Sequence, residues 1–438
     1  MYKVLFMTFG CKVNHYESEC LKELFRQRGW ETVSEGCCDA VIINSCTVTA
    51  SGDSRVFTAL RRARSEYPDS AIVLTGCYPQ ADPEGAAKLG AADIICGTKD
   101  RGLIPAMVED FLSERRRRIW LPQHSRGEIF EPMKCTRYED NTRAFVKIQD
   151  GCDRFCTYCI IPYARGRCRS KPLDLLREEA SEIAANGVKE IVLSGINLAF
   201  YGAEWGLSLA DAAEAVAGIP GIDRVRLSSL EPEMMTDGQL ERLAALPEMC
   251  PQFHLSLQSG CSRTLKAMNR HYTAEEYFEL TERIRRFFPE CTFTTDIMVG
   301  FPQESEEDFA QSVSFVKRVG FSKVHVFRYS RRPGTPADKM PGQISESVKT
   351  DRWRRMTAAA DEARENYLRS LVGRTVPVLF ERENSPDFHQ GHAPDMTLVK
   401  ISRKNPEKSL RNRIISVIIE VAGHDHCTGR IADDNIMD

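Results

Sequence analysis

No stretch of this 438-residue chain approaches the roughly 20 consecutive apolar residues of a membrane span, so no integral membrane role is expected. The opening segment, MYKVLFMTFGCKVNHYE, passes from a short apolar run straight into a polar helix pattern. It has neither the charged start nor the small-residue cleavage site of a secretory leader. A dominant charge is lacking too. The 59 Lys and Arg stand against 62 Asp and Glu, a net charge of −3, so contact with a polyanion must run through local patches. Internal repeats and low-complexity tracts are absent, which excludes solenoids and propellers. Without a leader, a cytoplasmic protein is expected, with its 16 cysteines as thiols rather than disulfides. Clustered thiols then read as metal ligands or catalysts.

What is present is an alternation of strand and helix patterns over a length that allows about three domains. In residues 1–113, short apolar runs at 2–8, 40–44, 71–75 and 92–96 read as buried parallel strands with helical patterns between them, which predicts an open α/β domain. Residues 113–137 mix charge and proline without a sustained period and read as a linker. In residues 138–370 six further strand patterns begin at 144, 190, 224, 253, 293 and 323, and a helical pattern follows each of the first five. Six βα units predict a partial (β/α)6 barrel, whose chemistry sits at the C-terminal strand ends. Residues 371–438 carry short strands and polar turns and read as a small all-β module.

The first barrel strand is followed by GCDRFCTYCIIPYARGRCRS, with Cys152, Cys156 and Cys159 at spacings of four and three and Cys168 beyond. There is no second C-x-x-C pair nearby to complete a structural zinc site. The triplet is compatible with three corners of an iron–sulfur cluster, with zinc completed from elsewhere, or with buried thiols of no special role. Cys168 is within reach as a fourth ligand. In the first domain Cys11, Cys46 and Cys77 each follow a predicted strand, which puts all three at one sheet edge, in the crevice beyond the strand ends. A second three-thiol site and ordinary buried cysteines both fit that placement.

The loop GCDRFCTYCIIPYARG resembles the cluster-binding loop of radical S-adenosylmethionine (SAM) enzymes, and more narrowly that of the methylthiotransferases. The contexts TFGCKVNHYES, INSCTVT and TGCYPQ resemble the N-terminal domain of the same family. The resemblance spans almost the whole chain: an N-terminal cluster domain, a radical SAM core, and a C-terminal module similar to the RNA-binding TRAM barrel. It implies two 4Fe–4S clusters, one on Cys152, Cys156 and Cys159 with SAM at the open iron, the other on Cys11, Cys46 and Cys77 and engaged in sulfur insertion. Cys96 also ends a strand, but the family places no ligand there. Further segments that resemble the family suggest cofactor or substrate contacts at Ser194, Gly195, Asn197, Glu231, Gln258, Arg270 and Asp296.

The implied activity is radical insertion of a methylthio group at an unactivated carbon. An electron donor of the flavodoxin or ferredoxin type is expected as a partner, and no membrane. GCKVNHYES, NSCTVT and IIPYARGRCRS look most like the branch that acts on threonylcarbamoyladenosine beside the tRNA anticodon. Isopentenyladenosine in tRNA and an aspartate of a ribosomal protein are the rival substrates. The stretch 164–171 carries Arg165, Arg167, Arg169 and Lys171 beside the cysteine loop, which suits a polyanion or the threonylcarbamoyl carboxylate. Residues 400–413 carry six cations against one glutamate and suggest an RNA-binding patch. An iron–sulfur electron carrier or a zinc-dependent RNA-binding module is the reading from a different class; neither needs a six-strand barrel with a three-ligand loop at its mouth.

Overall fold

The computed structural model of the chain describes residues 1–138, 142–382, 385–403 and 409–432. The N-terminal apolar runs form β1 (Lys3–Thr8), β3 (Ala40–Ser45), β4 (Ala71–Gly76) and β5 (Ile94–Cys96), joined by β2 (Glu31–Val33) and β6 (Arg118–Trp120). All pair in parallel, in the order β2-β1-β3-β4-β5-β6. Side chains alternate between faces. Val4, Ile42, Val73 and Ile94 meet Leu21 and Phe25 of helix Lys12–Gln27 and Ile104 of helix Ile104–Glu114. Leu5, Val41, Ile43, Ile72 and Leu74 meet Val56 and Leu60 of helix Ala50–Glu66. The chain turns outward from β1 to β2 and then returns to β3, which makes the β1/β3 border the switch point of the sheet.

β6 arises inside the stretch expected as a linker. Two arginines of the run there are occupied: Arg117 donates to the carbonyls of Ala87, Leu89 and Ala92, and Arg118 pairs with Asp110 at 2.7 Å.

The second set of strands is β7 (Arg143–Asp150), β8 (Arg169–Ser170), β9 (Glu190–Gly195), β10 (Arg224–Leu227), β11 (Ser229–Leu230), β12 (Gln252–Leu255), β13 (Thr292–Val299) and β14 (Lys323–Arg328). β10 pairs with β9 and β11 with β12, both in parallel, and only Ser228 separates β10 from β11. The strands β7, β9, β10/β11, β12, β13 and β14 therefore follow one another as a curved parallel wall that splits at Ser228. Helices cover its outer face. Helices Ala274–Phe287 and Glu306–Val319 each start at a capping box, Thr273 with Glu276 and Ser305 with Asp308, and the second ends at Gly320 in the left-handed conformation.

Helix Glu346–Ser370 leads into a closed five-stranded barrel of β15 (Thr375–Phe380), β16 (Phe388–His392), β17 (Leu398–Ser402), β18 (Ile414–Ala422) and β19 (Cys427–Ile431). β16 and β19 carry polar, glycine-containing sequences that do not read as strands alone; closure of the barrel recruits them. The barrel docks at the N-terminal ends of the central strands. Arg143 pairs with Glu381 at 2.7 Å, and Arg224 donates to the carbonyls of His392 and Pro377. Among the described residues no helix is long and apolar enough to cross a membrane.

Candidate active site

The loop after β7 is fixed by its backbone. Gly151 adopts φ +71°, and a Cβ there would stand 1.9 Å from the Arg167 carbonyl oxygen, so only glycine fits. The Cys152 N–H donates to the Gly166 carbonyl, the Cys159 N–H to the Cys156 carbonyl, and the Thr157 N–H to the Met268 carbonyl. Two side chains distant in sequence, Asn197 just after β9 and Arg270 just after helix Ser262–Ala267, aim donors at the sulfurs. Asn197 Nδ2 lies 3.6 Å from Cys152 Sγ, and Arg270 Nη1 lies 3.5 Å from Cys156 Sγ. Arg270 is buried, forks onto Glu231 at 2.7 and 3.1 Å, and touches Tyr272. Burial raises the Cys152 and Cys159 thiols above the usual range. Cys168 packs against the Gly151 carbonyl at 3.8 Å and beside Asp153.

The other candidates after β9 and β12 separate by role. Ser194 is buried, with its hydroxyl bonded to the Val146 and Val192 carbonyls of its own sheet. Gly195 packs against Gln149, which would stand 2.9 Å from an added Cβ. The Asn197 backbone N–H donates to Gln149 Oε1 at 2.7 Å, while its side-chain Oδ1 is buried with no partner. Ser228 Oγ, where the wall splits, is likewise buried and unpartnered. Gln258 sits at φ +69°, its N–H on the Asp296 carbonyl, and lines a cavity of about 220 Å³ with Asp296, Cys159, Tyr158, Met298 and Phe327. Ser228 is a candidate that the sequence reading did not name; its only signal is its place at a strand end.

The second thiol triplet gathers as the strand-end rule requires. Asn14, on the first turn of helix Lys12–Gln27, donates through Nδ2 to the carbonyls of Phe9 and Ser45, so it ties the ends of β1 and β3 together. Its Oδ1 lies 3.9 Å from Cys11 Sγ and 4.0 Å from Cys77 Sγ. A Cβ on Gly10 would stand 3.0 Å from Cys46 Sγ. Burial pushes the Cys77 thiol up to about 12, with Arg165 opposing. Among the described residues no three His, Cys, Asp or Glu side chains close around a single metal ion. A cluster differs in binding each thiolate through a separate iron.

Between the triplets lies a buried ionic network. Arg165 donates to Cys77 Sγ at 3.3 Å and Asn14 Oδ1 at 2.7 Å, and pairs with Glu17 at 2.8 Å and Asp150 at 3.1 Å. Lys147 and Arg101 also bind Glu17, and Lys147 and Arg169 bind Asp150. Against the penalty of burial, these cations hold both carboxyls well below the usual range. The network corrects an expectation. Arg165 and Arg169 have side chains 0% and 8% exposed, and Lys171 is buried on Glu179 and Tyr16, so none of the three faces a substrate. Arg167 alone of the four is open, at 45%, and it pairs with Asp153.

A second cavity of about 380 Å³ lies where the central strands meet the C-terminal barrel, with Lys12, Arg226, Gln252, His254, Thr294 and His325 on one side and Tyr367, His392, Asp395 and Asp425 on the other. His254 bonds Thr294 at 3.0 Å and Asp296 at 3.3 Å, so the wall between the two cavities is polar. Burial lowers His325, opposed by Asp296.

Residues 146–316 match the model of the Radical SAM superfamily, and residues 3–97 match that of the Uncharacterized protein family UPF0004. The chain is 34% identical to the threonylcarbamoyladenosine tRNA methylthiotransferase MtaB of Bacillus subtilis, over 100% of this chain and 99% of that one. The chain belongs to the radical SAM methylthiotransferases. The MtaB of Thermotoga maritima is 37% identical to it over 85% of each chain. A tRNA-2-methylthio-N(6)-dimethylallyladenosine synthase of Pelotomaculum thermopropionicum is 34% identical, over 98% of this chain and 97% of that one. Among solved structures, the radical SAM methyltransferase TsrM of Kitasatospora setae shares the fold at TM-score 0.59 and 14% identity, over 77% of this chain and 74% of that chain. This methylthiotransferase therefore works with 4Fe–4S and SAM as cofactors. Its residues fit them: thiols free of disulfides, side-chain N–H donors aimed at the sulfurs, and the unpartnered buried atoms Asn197 Oδ1 and Ser228 Oγ at the same strand ends.

Proposed function

We propose that this methylthiotransferase inserts a methylthio group at C2 of threonylcarbamoyladenosine beside the tRNA anticodon. Relatives named for that substrate and for dimethylallyladenosine are about equally similar, so identity alone does not choose between them. The observation that carries the choice is the polar lining of the 380 Å³ cavity. Gln252, His254, Thr294 and Asp296 form a hydrogen-bonding wall suited to the urea, hydroxyl and carboxylate of a threonylcarbamoyl group. An apolar dimethylallyl group would take water from those groups and offer their remaining donors and acceptors no partner, which is costly.

In this reading Cys152, Cys156 and Cys159 hold one cluster and Cys11, Cys46 and Cys77 a second. When bound, the first cluster and SAM supply the radical that removes hydrogen from the target carbon, and the second cluster supports delivery of sulfur. The protein's part is binding, orientation and charge. Asn197 and Arg270 direct N–H donors at the first set of sulfurs, and Arg165 directs one at the second. Glu231 fixes the Arg270 guanidinium, and the hydroxyl of Tyr272 bonds the Ser256 and Leu257 carbonyls, which holds that assembly to the strand end. Gln258 and Asp296 line the cavity next to Cys159, together with Tyr158, Met298 and Phe327. A flavodoxin- or ferredoxin-type protein supplies electrons.

The test offers purified, anaerobically reconstituted enzyme tRNA bearing each modification in parallel. Methylthiolation of the threonylcarbamoyl tRNA is expected. Methylthiolation of the isopentenyl tRNA alone would overturn the substrate and leave the reaction class standing.

A further inference from the structure

Lys12 follows Cys11 directly, and its side chain remains open to solvent. It lines the 380 Å³ cavity, with its Nζ 5.9 Å from the Phe145 ring on the inner face of β7. The other cations nearby are committed. Arg226 bonds Glu190 and the Pro394 carbonyl, Arg143 bonds Glu381, and Arg364 bonds the Asp425 carbonyl. Lys323 lies at the far end of the cavity, at the first residue of β14, beside Arg364 and Asp425 of the C-terminal barrel. Among the described residues Lys12 has no hydrogen-bond or ion-pair partner.

A solvent-accessible cation on a cavity wall, without an ion-pair partner, is a site for an anionic group of a ligand. We propose that Lys12 is a specificity residue that binds the carboxylate of the threonylcarbamoyl group; this rests on the substrate reading above. Its position explains the selectivity in one element. The residue that follows a thiol of the N-terminal triplet also reads the substituent of the base, so the same helix end joins sulfur delivery to substrate recognition. A carboxylate gains a charge-assisted hydrogen bond there, whereas an apolar substituent would strip water from an ammonium and return nothing. The neighbouring His254, Thr294 and Gln252 then meet the neutral urea and hydroxyl.

The test uses anticodon stem–loop RNA bearing threonylcarbamoyladenosine, and the same RNA with the carboxylate replaced by a neutral carboxamide. Dissociation constants are measured for both RNAs with wild-type holoenzyme and with Lys12→Met and Lys12→Arg, and KM and kcat where turnover is measurable. The wild type should prefer the carboxylate roughly 10- to 100-fold, the range of a charge-assisted hydrogen bond. Lys12→Met should bring that ratio close to one, and Lys12→Arg should restore part of it. Because the ratio is taken within each variant, a general loss of cluster or fold cancels. A Lys12→Met enzyme that keeps the wild-type ratio overturns the Lys12 assignment alone. A wild type without any carboxylate preference overturns the substrate reading itself.

Discussion

Replacing Arg165 with leucine tests whether that arginine belongs to the internal structure or to the substrate. Its side chain is fully buried among Glu17, Asp150, Asn14 and Cys77. Removing one partner of a buried ion pair costs about 3–5 kcal/mol. Here the lower end applies, because Arg101 and Lys147 remain on Glu17 and Lys147 and Arg169 remain on Asp150. The Asn14 carbonyl oxygen loses its donor as well, which adds about 1 kcal/mol. At roughly 2–4 °C per kcal/mol for domains of this size, the sum of about 4 kcal/mol lowers the melting temperature by roughly 8–16 °C. Thermal unfolding of the anaerobically reconstituted protein, followed by circular dichroism, measures it. Arg165→Lys keeps the charge but not the fork and should lose about half as much. An unchanged melting temperature for Arg165→Leu, together with a lower salt slope for tRNA binding, would refute the network and return Arg165 to the RNA.

The thiol triplets should divide the labour: Cys11→Ala should still form 5′-deoxyadenosine without methylthio product, Cys156→Ala should lose both, and a wild type holding one cluster's worth of iron would contradict two sites. Gly151→Ala, whose Cβ would meet the Arg167 carbonyl, should lower iron on the Cys152 loop while far-ultraviolet circular dichroism stays native; full iron content would count against the geometry. Because Glu17 and Asp150 have folded pKa values below their unfolded ones, they contribute stability above the carboxylate range and lose it on acidification below about pH 5; a urea midpoint that stays flat from neutral to acid pH would contradict this. In the C-terminal barrel, replacing Arg411 and Arg413 should reduce the log–log salt slope of tRNA binding by roughly 0.7–0.9 per lost phosphate contact. An unchanged slope would place RNA elsewhere. Lys404 of the same stretch lies outside the described residues.

The sequence reveals the strands because their apolar runs, such as AVIINS and AIVLTG, are long enough to be buried on both faces. It reveals the gathering of Cys11, Cys46 and Cys77 because consecutive parallel strands end on one edge. It conceals β2 and β6, which are three-residue edge strands, and β16 and β19, whose polar composition becomes a strand only when the barrel closes. It also conceals what each arginine meets. Arg165 looks like part of a basic surface, yet its carboxylate lies 148 residues away on a helix of another sheet. Lys12 carries no signal of its own in the sequence; the packing of its helix beside β7 places it on the wall of the 380 Å³ cavity.

The central claim is tested most directly by nucleoside mass spectrometry of bulk tRNA from cells with and without this protein. The account predicts that deletion removes 2-methylthio-threonylcarbamoyladenosine, that threonylcarbamoyladenosine accumulates in its place, and that 2-methylthio-isopentenyladenosine is unaffected. Loss of the isopentenyl product with the threonylcarbamoyl product intact would contradict it.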